Sequence, residues 1–131
     1  MNEDFVPYEL AVKLKEKGLN IPFYFFYRTD ENGEFIHHAL VANPLVYCEK
    51  IDDEVVIAPT ISQVLKWLRE EKKIHIMVDI WKVNVDDIIY KWGYDIVDLT
   101  TTKVISCDTQ CANAYEQAAL AGIEYVLDNL I

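Results

Sequence analysis

Glycine is scarce in this chain, four residues in 131, and proline is equally scarce at four. So few glycines leave little room for a phosphate cradle. Neither a Gly-x-Gly-x-x-Gly fingerprint, a phosphate-binding loop nor a Gly-x-Ser-x-Gly elbow occurs. Cysteine is sparse and odd in number, three residues, which argues against a disulfide scaffold and fits a reducing cytoplasm. No apolar run approaches the ~18–20 residues that a membrane helix requires. Positive charge is short as well: 12 Lys and Arg stand against 22 Asp and Glu, net −10. A chain this acidic repels phosphate backbones at long range, so nucleic-acid binding starts at a disadvantage.

What is present belongs to a globular protein. A hydrophobic fraction of 52% with 12% aromatics supplies a real core and excludes a disordered tail. The length suits one domain, residues 1–131, burying roughly two-thirds of its unfolded surface. The opening Met1-Asn2-Glu3-Asp4 is acidic where a secretory signal is basic, so the expected location is the cytoplasm. The charge is unevenly spread. Residues 1–59 carry 11 acidic and 5 basic side chains, net −6, and residues 83–131 carry 8 and 2, also net −6. Residues 60–82 carry 3 and 5, net +2, and form the one basic segment.

That basic segment also holds the clearest structural signal. Thr60 is placed to cap a helix running to about Glu71, and Gln63 three residues on completes a capping box. Pro59 suits the extended entry. Ile61, Val64, Leu65 and Leu68 repeat at the spacing of a single buried helix face, with Trp67 at its edge. After Lys72-Lys73 the period becomes two. Ile74, Ile76, Val78 and Ile80 take one face of a strand; His75, Met77 and Asp79 take the other.

In chain order, Pro7 to Lys17 reads as a helix with Leu10, Ala11 and Leu14 inward. Gly18 follows as a left-handed cap, and Leu19 folds back on Leu14. Ile21 to Tyr27 is aromatic and strand-like, and Asn32-Gly33 turns it against Phe35 to Val41. Leu45 to Cys48 and Glu54 to Ile57 read as a second hairpin or a loop. Lys82 to Asp87 is expected to connect to a strand over Ile88 to Leu99, with Gly93 as a bulge. Thr100 to Thr102 turns the chain into a short strand from Lys103 to Cys107. The last helix is expected from Asn113, as cap, with Glu116 at N3 and Ala119, Ile123, Val126, Leu127 and Leu130 inward. Ala118, Ala119 and Gly122 keep its first half thin enough to approach a sheet closely. The resulting order, αββ(ββ)αββ(β)α, predicts an α+β fold: an antiparallel sheet with about three helices on one face.

Three stretches carry a resemblance: Phe5-Val6-Pro7-Tyr8-Glu9-Leu10-Ala11, the run Ala58 to Glu70, and Tyr115-Glu116-Gln117-Ala118-Ala119. They resemble short hypothetical proteins of gut bacteria and their phages. The matching residues are helix starts and stripes. The resemblance implies a phage-associated or mobile-element role and brings no catalytic residue with it.

Chemistry-bearing residues are few. Cys107 and Cys111, spaced C-x3-C, could supply two zinc ligands, with His37, His38 or His75 completing a site. A second closely spaced ligand pair is missing, and small cysteines commonly pack as core residues, so no metal and no cofactor is expected. Cys48 has no local histidine to act as its base. Asp52-Asp53-Glu54 and Asp86-Asp87 sit at expected turns, where aspartate is favoured by its own backbone hydrogen bonds. The reading is therefore of a non-enzymatic protein, with no catalytic residue assigned.

Three tryptophans and eight tyrosines are many for this size. Met77 and Trp81, on the strand face opposite Ile76, together with Trp67, are the candidate contacts for a protein partner or a second copy of the chain. The leading expectation is an interaction or adaptor protein, homodimeric in one version. The main alternative is a nucleic-acid module using Lys66, Arg69, Lys72 and Lys73 on the basic helix, as in winged-helix or three-stranded arm domains. That is fold analogy, which does not carry function, and the net charge opposes it. An acidic decoy that mimics DNA matches the charge but lacks an ordered carboxylate row.

Overall fold

The computed structural model describes residues 5–21, 25–29, 35–40, 55–84 and 89–131. The fold is α+β. Among the described residues, three helices and six strands follow one another as α1 (Tyr8–Glu16), β1 (Phe25–Thr29), β2 (Phe35–Leu40), β3 (Val55–Ile57), α2 (Ile61–Glu71), β4 (Ile74–Asn84), β5 (Ile89–Asp98), β6 (Lys103–Ala112) and α3 (Tyr115–Asn129). The strands form two three-stranded antiparallel sheets, ordered β2-β1-β3 and β4-β5-β6. The chain divides into two compact units, Met1–Gln63 and Val64–Ile131.

In the first unit, α1 begins directly after Pro7, whose fixed φ of −59° suits a helix start. Leu10, Ala11 and Leu14 are buried, and the helix packs on β3. Its end is a Schellman motif: Gly18 takes φ +85°, Leu19 N–H donates to Leu14 O and Gly18 N–H to Lys15 O. β1 pairs with β2 from Phe25↔Leu40 to Thr29↔Phe35. The hairpin expected around Asn32-Gly33 is thus formed, although the turn itself lies outside the described residues. β3 pairs with the other edge of β1, Phe26↔Ile57, so Val55–Ile57 joins the first hairpin's sheet. The partner proposed for it, Leu45 to Cys48, lies outside the described residues.

The entry to α2 closes this unit. Val6 N–H donates to Pro59 O, and Phe5 bridges Thr60. The buried Tyr27 hydroxyl donates to Val6 O at 2.5 Å, and its ring meets Tyr8 edge-on. The capping box forms as expected: Gln63 N–H donates to Thr60 Oγ1 at 3.2 Å, and Thr60 N–H donates to Gln63 Oε1 at 2.9 Å.

In the second unit, β4, β5 and β6 form a meander with α3 packed on one face. Strand pairing sets that face in rows: Ile76–Ile96–Ser106, then Val78–Tyr94–Asp108, then Ile80–Trp92–Ala112. The helix supplies Ala118, Ala119, Gly122, Ile123, Val126 and Leu127, all buried. Gly122 is required by proximity: a Cβ there would lie 2.9 Å from Ile76 Cγ2 and 3.3 Å from Tyr94 Cγ.

Five sequence expectations shift on physical grounds. β4 runs on to Asn84, so Lys82 to Asn84, expected to belong to a connection, are strand, because Ile89 to Lys91 of β5 pair with them. On α2, Trp67 is buried at 5% exposure while Leu65 stays half-exposed, because burying an indole removes more apolar surface than burying a leucine. Ile80, expected inward, is 38% exposed. β4 has 11 residues, roughly 36 Å, whereas the 15 residues of α3 span roughly 22 Å, so the helix covers only part of the strand. The third strand runs to Ala112 and not to Cys107. Its extra length lies on the sheet edge with a register irregularity between Trp92 and Tyr94, and it opens with Asp108 and Thr109, both exposed and too polar to announce a strand. Finally, α3 starts at Tyr115 with Ala114 in the cap position and no side-chain cap bond. Asn113 is committed elsewhere: its Oδ1 accepts from Lys91 Nζ, and its N–H donates to Gln117 Oε1.

Candidate protein-interaction surface

Alternation along the strands of the second unit produces a second face, opposite α3. Its rows are His75–Val97–Val104 and Met77–Asp95–Cys107, with Asp79 facing Gly93 in the next row. Met77 is 48% and Val104 59% exposed, so apolar side chains reach solvent on two neighbouring rows. Ile105, at the irregularity between these rows, is 43% exposed. Met77 and Val104 stand on the two outer strands of this face, with Asp95 and Val97 of β5 between them.

Polar groups border the apolar ones. Asp95 lies directly across from Met77 and accepts a hydrogen bond from the Cys107 thiol. That bond holds the Cys107 thiol above its ordinary range, and partial desolvation and the charges of Asp95 and Asp108 push the same way. The exposed thiol is therefore kept protonated, the opposite of what a nucleophile or metal ligand needs. Asp79 Oδ1 accepts from the adjacent Ile80 N–H at 2.7 Å. His75 contributes a buried Nδ1 with no hydrogen-bond partner.

The candidates from the sequence separate. Met77 lies on this face and is exposed. Trp81 lies on β4 at the register irregularity between Ile80 and Lys82, so simple alternation no longer assigns it a face. Its side chain is outside the described residues. Trp67 is a buried residue of α2, and Lys72 Nζ stands 5.3 Å from its ring centroid, a cation–π arrangement. Lys66 and Arg69 are exposed on α2 beside the equally exposed Glu70 and Glu71. Lys73 takes φ +56° and passes its carbonyl to Leu99 N–H, which ends the helix against the β5–β6 turn. The basic set is thus spread over a helix face, a ring contact and a helix terminus.

Cys107 lies on β6, and so does Cys111, whose side chain is outside the described residues. Among the described residues no group of three or more His, Cys, Asp or Glu is placed to hold a metal ion. Cys48, Asp52-Asp53-Glu54 and Asp86-Asp87 lie outside the described residues. Among those described, no helix is long and apolar enough to cross a membrane.

The partners of Met77 on this face, Asp95, Val97, Val104 and Cys107, were missed by sequence reasoning. Alternation identifies which side of its own strand a residue takes, but not which residue of the next strand stands beside it. Compared with known proteins, the chain matches no family model, no curated protein and no solved structure.

Proposed function

We propose that this chain is a non-enzymatic interaction protein acting in the cytoplasm, and that it docks through the face of β4-β5-β6 opposite α3. On the resemblance stated above, the setting is a phage or mobile element. One observation carries the reading: Met77 and Val104 are exposed on adjoining rows of one sheet face, bordered by carboxylates. An exposed Met anchor with a polar border is a common form of protein-binding surface. A nucleic-acid reading through Lys66, Arg69, Lys72 and Lys73 receives less support, since Glu70 and Glu71 are interleaved and Lys72 stands over Trp67.

The test is a tagged pull-down from cell extract, with and without nuclease, run for wild type and Met77→Ser. A protein recovered near stoichiometry with wild type in both arms, and lost with the variant, is the expected result. Recovery of nucleic acid that vanishes with nuclease and with added salt would overturn the reading and redirect attention to α2. Light scattering of the purified chain, run alongside, identifies a second copy as the partner if the dimer depends on Met77.

A further inference from the structure

We infer that the occupant of this face is a basic protein segment, and that an arginine or lysine of that segment lies across Met77 with its cationic head between Asp79 and Asp95. The inference rests on the docking reading above and adds the chemistry of the partner. Met77 stands directly across from Asp95 and two residues before Asp79 on the same side of β4. The two carboxylates are therefore diagonal neighbours about 7–8 Å apart at the backbone, with the exposed Met side chain in the angle between them. A long cationic side chain fits such a corner. Its methylene stem covers the apolar thioether while its head reaches both carboxylates, and an arginine fork is suited to bridging them.

The charges next to Met77, Asp79 and Asp95, agree in sign. The next row beyond Asp79 pairs Lys82 with Lys91, past the irregularity that follows Ile80, and Lys91 Nζ is committed to Asn113 Oδ1. His75 and the Cys107 thiol, which its bond to Asp95 keeps protonated, are the other described titratable side chains in the two rows that hold Met77 and Val104. A chain with net charge −10 attracts a basic partner over long distances. The same charges oppose the other occupants. A second copy docked face to face would bring Asp79 and Asp95 towards their own equivalents, and a phosphate backbone would meet two carboxylates.

The experiment measures binding of the full chain to two defined ten-residue peptides, one alternating Arg and Val, the other alternating Glu and Val. Fluorescence anisotropy at physiological salt compares wild type with Met77→Ser, with Asp79→Asn/Asp95→Asn and with Glu124→Gln/Asp128→Asn. The last variant removes the same charge from exposed positions on α3. Circular dichroism checks that each remains folded. The expected result is preference for the Arg peptide, weakened about tenfold by the Asp79/Asp95 pair and left within about twofold by the Glu124/Asp128 pair. Equal losses from both double variants would overturn the inference, because the attraction would then be diffuse. Binding that depends on Met77 but treats both peptides alike would also overturn it while leaving the docking face intact. A dimer abolished by Met77→Ser would do the same in favour of a second copy. Indifference of both peptides and of the oligomeric state to Met77→Ser would remove the docking reading as well.

Discussion

Replacing Gly122 with alanine sets two opposed effects of known size against each other. In an exposed helix the change stabilises by about 1 kcal/mol, since alanine loses less backbone entropy on becoming helical. At Gly122 the new methyl would sit 2.9 Å from Ile76 Cγ2 and 3.3 Å from Tyr94 Cγ. Neither atom is the free end of a flexible chain: one is a β-branch on a buried strand position, the other the root of a buried ring. Overpacking of this kind costs about 1–3 kcal/mol, so packing wins and the net is a loss of about 1 kcal/mol. For a chain of this size that lowers the melting temperature by about 4 °C. Urea unfolding followed by circular dichroism reads the difference directly. The sharper test is the sign in a second background. With Ile76→Ala the closest contact is gone, and Gly122→Ala should become neutral or stabilising there. If Gly122→Ala stabilises the wild-type chain by the full helix-propensity amount, the close seating of α3 on Ile76 and Tyr94 is wrong.

Three further outcomes follow from local geometry. Thr60→Ala removes one half of the α2 capping box and should cost about 1 kcal/mol by urea unfolding, with Thr60→Ser recovering most of it. Tyr27→Phe leaves Val6 O without its hydroxyl donor and should cost about 1–3 kcal/mol at neutral pH. Burial raises the Tyr27 pKa, so the folded state favours the neutral phenol. That stability is fully present below about pH 10 and is lost as pH rises through the higher native value. Subtracting the Tyr27→Phe profile from wild type should expose this loss, and parallel profiles would refute it. Cys107 should alkylate slowly at pH 7 despite its exposure, and Asp95→Asn should speed the reaction by lowering the thiol pKa; peptide mass spectrometry after timed iodoacetamide treatment separates it from the other cysteines.

Much of the fold was legible because the signals are local. The Thr60–Gln63 box, the Gly18 cap and the Leu10, Ala11, Leu14 stripe each depend on residues within one or two turns, and all three appear as read. The small residues at Ala118, Ala119 and Gly122 likewise announced a helix seated close to a sheet. Errors arose where the outcome depends on what lies opposite. Trp67 and Ile80 were misplaced because burial is decided by the length and position of a neighbour, and Asn113 because Lys91, 22 residues away, competes for its side chain.

The α+β class, the order of the described helices and strands, and the sign and distribution of charge follow from short-range periodicity, capping and composition, which are properties of the chain alone. That the described strands form two sheets, that Val55–Ile57 joins β1, and that Asp95 and Cys107 stand beside Met77 came from the folded chain. Strand order and register come from pairing between residues far apart in sequence. An alternating pattern says which way a side chain points, and leaves open which strand and which residue it meets there.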